Sequence, residues 1–171
     1  MKRITFLFLL IFFYQNSNAQ HDSSVENLIG VQSKENFKQQ PYAEWFNVNY
    51  DGYVPDQDVV EDIKRHTKGI TIKAFIGTWC GDSKHEVPAF YKLLDVTNFN
   101  YKNLTMIAVS RDKSTPDNLQ EGLDIERVPT FIFYKKGEEI GRFVEYPRET
   151  LEKDILKIVS GKPYKHSYET N

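Results

Sequence analysis

Cysteine is nearly absent from this chain, because Cys80 is the single one in 171 residues. An internal disulfide therefore cannot form, and a centre that holds a metal through several thiolates is excluded. The four histidines are scattered without a cluster, so we predict no metal site and no bound cofactor. Neither sign of charge is in large excess, since the net charge is −2. This balance gives no indication of a nucleic-acid partner or of an anionic membrane surface.

Long hydrophobic runs are also lacking, except at the start of the chain. Residues 4–14 are apolar apart from Thr5, and they follow the basic start at residues 1–3. The run is too short to span a bilayer but suits the core of a signal peptide. Ser17 and Ala19 supply small residues where a signal peptidase reads the chain. We expect a signal peptide over residues 1–19, cleavage after Ala19, a periplasmic or secreted protein, and no stable membrane insertion afterwards. The alternative is an uncleaved membrane anchor.

The rest of the chain is interpreted as one domain with two flanking segments. Residues 20–55 are rich in aromatics and are predicted to be an N-terminal extension packed on the domain. The domain itself is predicted over residues 56–160, and residues 161–171 form a C-terminal tail. Periodicity and turn residues predict helices opening at residues 55–58 and covering 80–94, 116–122 and 148–159, and strands at 70–76, 104–109, 131–134 and 139–144. The charges of residues 149–157 are interpreted as a solvated helix face.

The cysteine lies where a predicted strand passes directly into a predicted helix. The apolar residues 70–76 lead to Trp79 and Cys80, and Val87, Phe90 and Leu94 then recur at helical spacing. Unpaired N–H groups and the positive end of a helix dipole favour an anion at such a position, and a thiolate is one. We therefore predict a reactive thiol. The alternative is a buried and inert cysteine, which is the common state of a free thiol.

Two blocks of sequence together resemble the thioredoxin superfamily. Residues 79–84 match its pattern W-C-x-x-(C/S)-K, with Pro88 five positions after Ser83, and residues 127–134 resemble its cis-proline strand. The resemblance covers about residues 56–160. The longer string G-T-W-C-G-D-S-K-x-E-V-P is similar to a group of small secreted bacterial thioredoxin-like proteins. It implies an α/β thioredoxin-like fold, in which a central mixed β-sheet is flanked by helices. It also implies a cis peptide bond between Val128 and Pro129, facing Cys80.

The chain departs from the two-cysteine pattern of that superfamily at two positions. Ser83 stands where a resolving cysteine is usual, and Ala74 stands where many thioredoxins carry a buried aspartate. Asp82 disfavours a nearby thiolate, whereas a hydrogen bond donated by Ser83 would favour it, and the sequence leaves the balance open. The predicted catalytic residues are Cys80 and Ser83. The predicted substrate-binding residues are Trp79, Gly81, Asp82, Val128, Pro129 and Thr130.

Three functions follow from this pattern as hypotheses. The first is an exported thiol–disulfide oxidoreductase whose single nucleophile, Cys80, forms mixed disulfides. Its expected partners are exported proteins with disulfides or oxidised thiols, and an external thiol would release the mixed disulfide. The second is a non-catalytic module that keeps the groove of the thioredoxin superfamily and binds an extended peptide there. The third is a redox sensor whose thiol cycles through sulfenic acid or a mixed disulfide.

Overall fold

The computed structural model describes residues 26–169, and its centre is a five-stranded mixed β-sheet. The strands lie in the order β1-β3-β2-β4-β5, with β2 and β3 parallel and the other neighbours antiparallel. Their bounds are β1 Gly30–Gln32, β2 Ile70–Ile76, β3 Leu104–Ala108, β4 Thr130–Lys135 and β5 Glu138–Val144. The fold class predicted from the sequence is confirmed. The predicted signal peptide and its cleavage site lie outside the described residues.

Helices pack on one face of this sheet. They are α1 Lys34–Phe37, α2 Ala43–Gly52, α3 Gln57–His66, α4 Gly81–Val96 and α5 Leu151–Ser160, with a 3₁₀ turn at Tyr101–Asn103. Their buried side chains form one apolar cluster with the alternate β2 residues Ile70, Ile72, Ala74 and Ile76. Phe90 of α4 stacks on Phe131 of β4 with ring centroids 4.1 Å apart. Within residues 26–169, no helix has the length and the apolar character needed to cross a membrane.

On the opposite face of the sheet, the cluster around Phe75, Ile107 and Ile132 is covered by part of residues 109–128, which form neither helix nor strand. The helix predicted over residues 116–122 is therefore wrong. Side chains compete with the helix there: the Thr115 hydroxyl accepts from the Leu119 amide at 2.9 Å, and the Gln120 side chain accepts from the Thr115 amide at 3.0 Å. Asn118 has φ of 51°, which is left-handed and ends any helical turn.

The last helix also differs from its interpretation as a solvated charged face. Asp154 is fully buried, and it accepts hydrogen bonds from the Arg148 amide at 2.6 Å and from the Tyr164 hydroxyl at 3.2 Å. Glu152 is buried too and accepts from the Tyr53 hydroxyl at 2.5 Å. Buried carboxylates of this kind are tolerated because donors replace the water that they lose. Charge in the sequence did not indicate these partners.

Residues 26–52 contribute directly to the sheet and to the packing of α4. Strand β1 pairs antiparallel with β3, and α2 packs along α4. At the far end of α4, the Asp95 carboxylate accepts hydrogen bonds from Lys34, from Tyr50 and from the Tyr101 hydroxyl at 2.6 Å. This polar cluster ties the N-terminal segment to the helix that begins beside the thiol. The boundary at residue 55 stays a prediction.

Candidate active site

Cys80 occupies the N-cap position of α4, as the last extended residue before the helix. Its backbone is extended, with φ of −92° and ψ of 131°, and its carbonyl accepts the hydrogen bond of the Lys84 amide at 3.1 Å. The Cys80 amide donates to the Gly77 carbonyl at 2.9 Å, which closes a tight turn after β2. This turn places a half-buried thiol at the start of the helix, as the sequence predicted.

The thiol itself faces the cis-proline loop. The bond between Val128 and Pro129 is cis, as predicted, and the Cys80 thiol donates to the Val128 carbonyl at 3.1 Å. The side chain makes no capping hydrogen bond with the amides that open α4. A carboxylate oxygen of Asp82 lies 3.8 Å from the sulfur. Both of these neighbours are hydrogen-bond acceptors, so the sulfur is the donor in this arrangement.

Ser83 lies behind the thiol rather than beside it. Its side chain is buried, and its hydroxyl accepts a hydrogen bond from the Gly77 amide at 3.1 Å. A hydrogen bond from Ser83 to the Cys80 sulfur is not present in this arrangement. Ser83 therefore holds the turn between β2 and α4. Ala74 occupies the position where many thioredoxins carry a buried aspartate. It is buried in β2 and supplies no proton-transfer group.

Trp79 covers one side of the site and has a fixed orientation. Its indole N–H donates to the Val109 carbonyl at 2.9 Å, and the Arg111 guanidinium lies 5.4 Å from its ring centroid. A Cβ atom added at Gly77 would come within 2.6 Å of the indole. Glycine is thus required at position 77 for this close approach. Sequence reasoning missed Gly77, although its place just before Thr78 in the G-T-W-C string was a usable signal.

The cis-proline loop is buried and held by its own hydrogen bonds. The Thr130 hydroxyl donates to the Arg127 carbonyl at 2.7 Å, and the Pro129 carbonyl accepts from the Glu145 amide at 2.8 Å. Val128, Pro129 and Thr130 are all buried. The structure thus brings Cys80, Asp82 and the Val128 carbonyl together. Gly81 is exposed in the first turn of α4, and Ser83 and Thr130 support the two sides of the site from behind.

Glu86 is a second feature that sequence reasoning missed. It lies one turn beyond Ser83 on α4, and its side chain is buried. Burial raises the pKa of Glu86 above its usual value, although the neighbouring His85, whose Nδ1 lies 2.9 Å away, acts in the opposite direction. His85 itself is mostly exposed and contacts Glu86 rather than Cys80. Among residues 26–169, no group of three or more His, Cys, Asp or Glu side chains could hold a metal ion.

A half-buried thiol at a helix start, facing a cis-proline loop on a five-stranded mixed sheet, defines a thioredoxin-type site. A family model described as thioredoxin matches residues 31–157. The chain belongs to the thioredoxin family. This membership supports a role of the thiol–disulfide oxidoreductase kind.

Comparison with individual proteins agrees with this family. Mouse thioredoxin is 33% identical over 88 residues, which are 52% of this chain and 78% of the mouse protein. A thioredoxin-like protein of Acanthamoeba polyphaga mimivirus is 31% identical over 91 residues, which are 53% of this chain and 64% of the viral protein. A crystal structure of a Pseudomonas aeruginosa protein of unknown function superimposes with a TM-score of 0.50 at 18% identity, covering 70% of this chain and 81% of that one. This last likeness concerns the fold alone.

Proposed function

We propose that the protein is an exported thiol–disulfide oxidoreductase that works through one nucleophile, Cys80. The observation that carries this proposal is the contact of 3.1 Å between the Cys80 sulfur and the Val128 carbonyl beside the cis Pro129. That contact puts the half-buried thiol beside the cis-proline loop and the exposed Gly81 and Asp82, where an extended peptide can bind. Export rests on the sequence of residues 1–19 and on no other feature.

The reaction begins when the Cys80 thiolate attacks one sulfur of a substrate disulfide. The substrate S–S bond breaks, a mixed disulfide forms on Cys80, and the second substrate sulfur leaves as a thiolate. An external thiolate, for example that of glutathione, then attacks the Cys80 sulfur and frees the reduced substrate. A second external thiol removes the first from Cys80 and leaves as an oxidised dimer. Ser83 takes no part in these electron transfers, because its hydroxyl oxygen cannot form a disulfide.

The test is reduction of insulin with glutathione as the only small thiol. We expect the protein to accelerate the reaction, Cys80→Ser to abolish the acceleration, and Ser83→Ala to retain at least part of it. The Ser83→Ala variant is chosen because Ser83 supports the turn and makes no bond to the sulfur. An unchanged rate in the Cys80→Ser variant would refute catalysis by this thiol.

Cleavage after Ala19 is checked separately, by sequencing the N-terminus of the protein recovered from its native host.

A non-catalytic peptide-binding module is the second candidate, and one observation favours it. The sulfur donates to a carbonyl and lies 3.8 Å from the Asp82 carboxylate, so both of these neighbours are acceptors and neither is a donor to the sulfur. If the oxidoreductase proposal holds, Asp82→Asn should raise the rate of alkylation by iodoacetamide at pH 7 by about fivefold, the effect of removing a unit charge at this distance in water. Cys80 that stays inert in both proteins would favour the binding module. Rapid oxidation by hydrogen peroxide to a stable sulfenic acid would favour a sensor instead.

A further inference from the structure

A cavity next to the cis-proline loop is built by the end of the chain. Its volume is about 350 Å³, and it is lined on one side by Arg127 and Thr130, which flank Val128 and Pro129. Its other side is lined by Tyr164, Tyr168 and neighbouring residues of the C-terminal segment. Residues 161–169, here called the tail, lie outside the part of the chain that the family model matches.

The tail is held in place although it has no helix or strand after α5. The Arg148 guanidinium donates to the His166 carbonyl at 3.2 Å and to the Glu169 carbonyl at 2.7 Å. The Ser167 hydroxyl donates to the Tyr146 carbonyl at 2.6 Å. Fixing an irregular backbone costs about 1–2 kcal/mol per residue in entropy, so these bonds are needed to keep the cavity wall in one position.

The tail residue Tyr168 also contacts Arg127, which directly precedes Val128 in the chain. The Arg127 guanidinium lies 3.8 Å from the centroid of the Tyr168 ring and 3.5 Å from the Glu145 carboxylate. The Tyr168 hydroxyl is hydrogen-bonded to that same carboxylate. Arg127 is followed by Val128, whose carbonyl accepts from the Cys80 thiol at 3.1 Å. Two residues that line the cavity, Arg127 and Thr130, therefore lie within two positions of Val128, which the Cys80 thiol contacts.

The charges around the cavity have a negative excess. Arg142 is neutralised by Glu139, to which it donates two hydrogen bonds of 2.7 Å. Arg127 is paired with Glu145. Three carboxylates then remain on the lining: Asp124 and Glu126, which form no ion pair within residues 26–169, and Glu169. Glu169 lies 3.1 Å from the His166 ring, and burial lowers the pKa of that histidine, so the ring supplies no positive charge near pH 7 to balance this carboxylate.

We propose that this cavity is a subsite for a basic side chain, lysine or arginine, of the polypeptide whose sulfur reacts with Cys80. The three carboxylates attract a cation, and tyrosine rings accept one on their faces, as Tyr168 already does with Arg127. The thiol site then prefers cysteines that have a basic residue nearby in the sequence. This inference rests on the proposed function, since it concerns the substrate of the same thiol.

The test uses short peptides whose single cysteine is activated as a 2-pyridyl disulfide. Attack by Cys80 breaks the activated S–S bond, forms the peptide mixed disulfide and releases 2-thiopyridone, whose absorbance gives the rate. One set of peptides carries a lysine at each position up to three residues from the cysteine, and a matched set carries glutamate there. Each rate is divided by the same protein's rate with iodoacetamide, which removes differences in the reactivity of the thiol itself.

We expect the best lysine peptide to react about fivefold faster than its glutamate partner, the size of one partly exposed charge contact. The preference should fall when Glu126→Gln and Glu169→Gln are combined, and also in Tyr168→Ala, and it should weaken at high salt. Tyr168→Phe keeps the ring face and should keep most of the preference, and the double glutamine variant tests the cavity if Tyr168→Ala unfolds. The matched control is Glu61→Gln, an exposed glutamate of α3 paired only with Lys64 along its own helix.

The outcomes separate this inference from the proposed function. Equal rates with both peptide sets, or a preference for glutamate, would overturn the subsite and leave the thiol chemistry standing. A lysine preference that survives all the cavity variants would also overturn the assignment to this cavity. No release of 2-thiopyridone from any peptide would instead refute the proposed function.

Discussion

The two faces of the central sheet are built in different ways, and the thiol lies where they meet. On one face, four helices of ten residues or more bury apolar side chains against alternate strand residues. On the other face, residues 109–128 lie as an irregular segment held by side-chain hydrogen bonds and by the Trp79 indole. Cys80 begins a helix of the first face, and its partner Val128 ends the segment on the second. The site therefore requires both kinds of packing.

Because of this difference, we expect the two faces to contribute unequally to the stability of the fold and to the geometry of the site. The helix-covered face contains the aromatic stack of Phe90 on Phe131, and the burial of both rings stabilises the fold. The irregular face buries a smaller apolar cluster, which includes Phe75 and Ile132 with Leu119 packed on them, and its side-chain hydrogen bonds each contribute about 1 kcal/mol net. Changes on the first face should therefore lower the free energy of unfolding strongly, whereas changes on the second should lower it less and displace the residues around Cys80.

The largest expected effect comes from Phe90→Ala on the helix-covered face. Removal of a fully buried ring should lower the free energy of unfolding by about 3–5 kcal/mol. Urea denaturation followed by circular dichroism measures it. The contrasting change is Thr115→Val on the irregular face, which removes a hydroxyl bonded to Leu119 and should cost about 1 kcal/mol. Similar costs for the two variants would contradict the proposed difference between the faces.

Gly77→Ala tests the junction of the two faces. The added methyl group meets the Trp79 indole at 2.6 Å, so either the ring or the turn must move, and a cost of about 1–3 kcal/mol is expected. Because the chain has two tryptophans, fluorine NMR of fluorotryptophan-labelled protein reports the Trp79 environment separately. Gly52→Ala is the matched control, since no atom lies within 4 Å of its added Cβ. An unshifted Trp79 resonance in Gly77→Ala would show that the close approach is not present.

Asp95→Asn tests the polar cluster at the far end of α4. Burial raises the pKa of Asp95, but hydrogen bonds from Lys34, Tyr101 and Tyr50 outweigh it and hold that pKa below its usual value. A lowered pKa stabilises the fold above the unfolded-state value of about 3.9, and this contribution is lost as the pH falls through the lower folded-state value. We expect Asp95→Asn to cost about 1–2 kcal/mol at pH 7 and less at pH 3. An equal cost at both pH values would exclude the charge as the cause.

Glu86→Gln should change the free energy of unfolding in the opposite direction, and by the smallest amount. The raised pKa of Glu86 means that its ionised form is less stable in the folded protein than in the unfolded one. Stability therefore declines as the pH rises from the unfolded-state value of about 4.3 through the higher folded-state value. We expect Glu86→Gln to stabilise the protein at pH 7 by about 1 kcal/mol or less, and to lose this advantage near pH 4. A destabilised variant at pH 7 would contradict this view of Glu86.

The sequence predicted the helix-covered face better than the irregular one. Strand Ile70–Ile76 matches its prediction because it is a mostly apolar run, in which buried and exposed residues alternate over Ile70–Lys73. Helix α4 begins one residue after its predicted start, and α5 begins at Leu151 because the Thr150 hydroxyl accepts from the Lys153 amide at 3.3 Å. Over residues 116–122 the pattern failed, since contacts of Thr115 and the left-handed Asn118 decide the local structure.

The sequence indicated the positions of Cys80 and of the cis-proline loop, but not the side-chain contacts between them and their surroundings. The motif located Cys80, and the resemblance implied the cis bond before Pro129, which the structure contains. The orientation of Ser83 toward the Gly77 amide depends on the turn after β2, which no residue spacing specifies. The tail that lines the neighbouring cavity depends on long-range bonds from Arg148 and Tyr168. Contacts between distant segments leave no periodic pattern, and they were therefore missed.

The central claim is that the Cys80 thiol forms mixed disulfides that no second thiol of this chain can release. The most direct measurement counts the thionitrobenzoate released from Ellman's reagent when one equivalent of reagent meets the reduced protein. Cys80 should release one thionitrobenzoate per protein and keep the other as a stable adduct until glutathione is added. In Ser83→Cys, closure of an internal disulfide should release the second without glutathione, because residues three apart in a first helical turn can be bridged. Cys80→Ser should release none. Two equivalents released by the native protein alone would contradict the account.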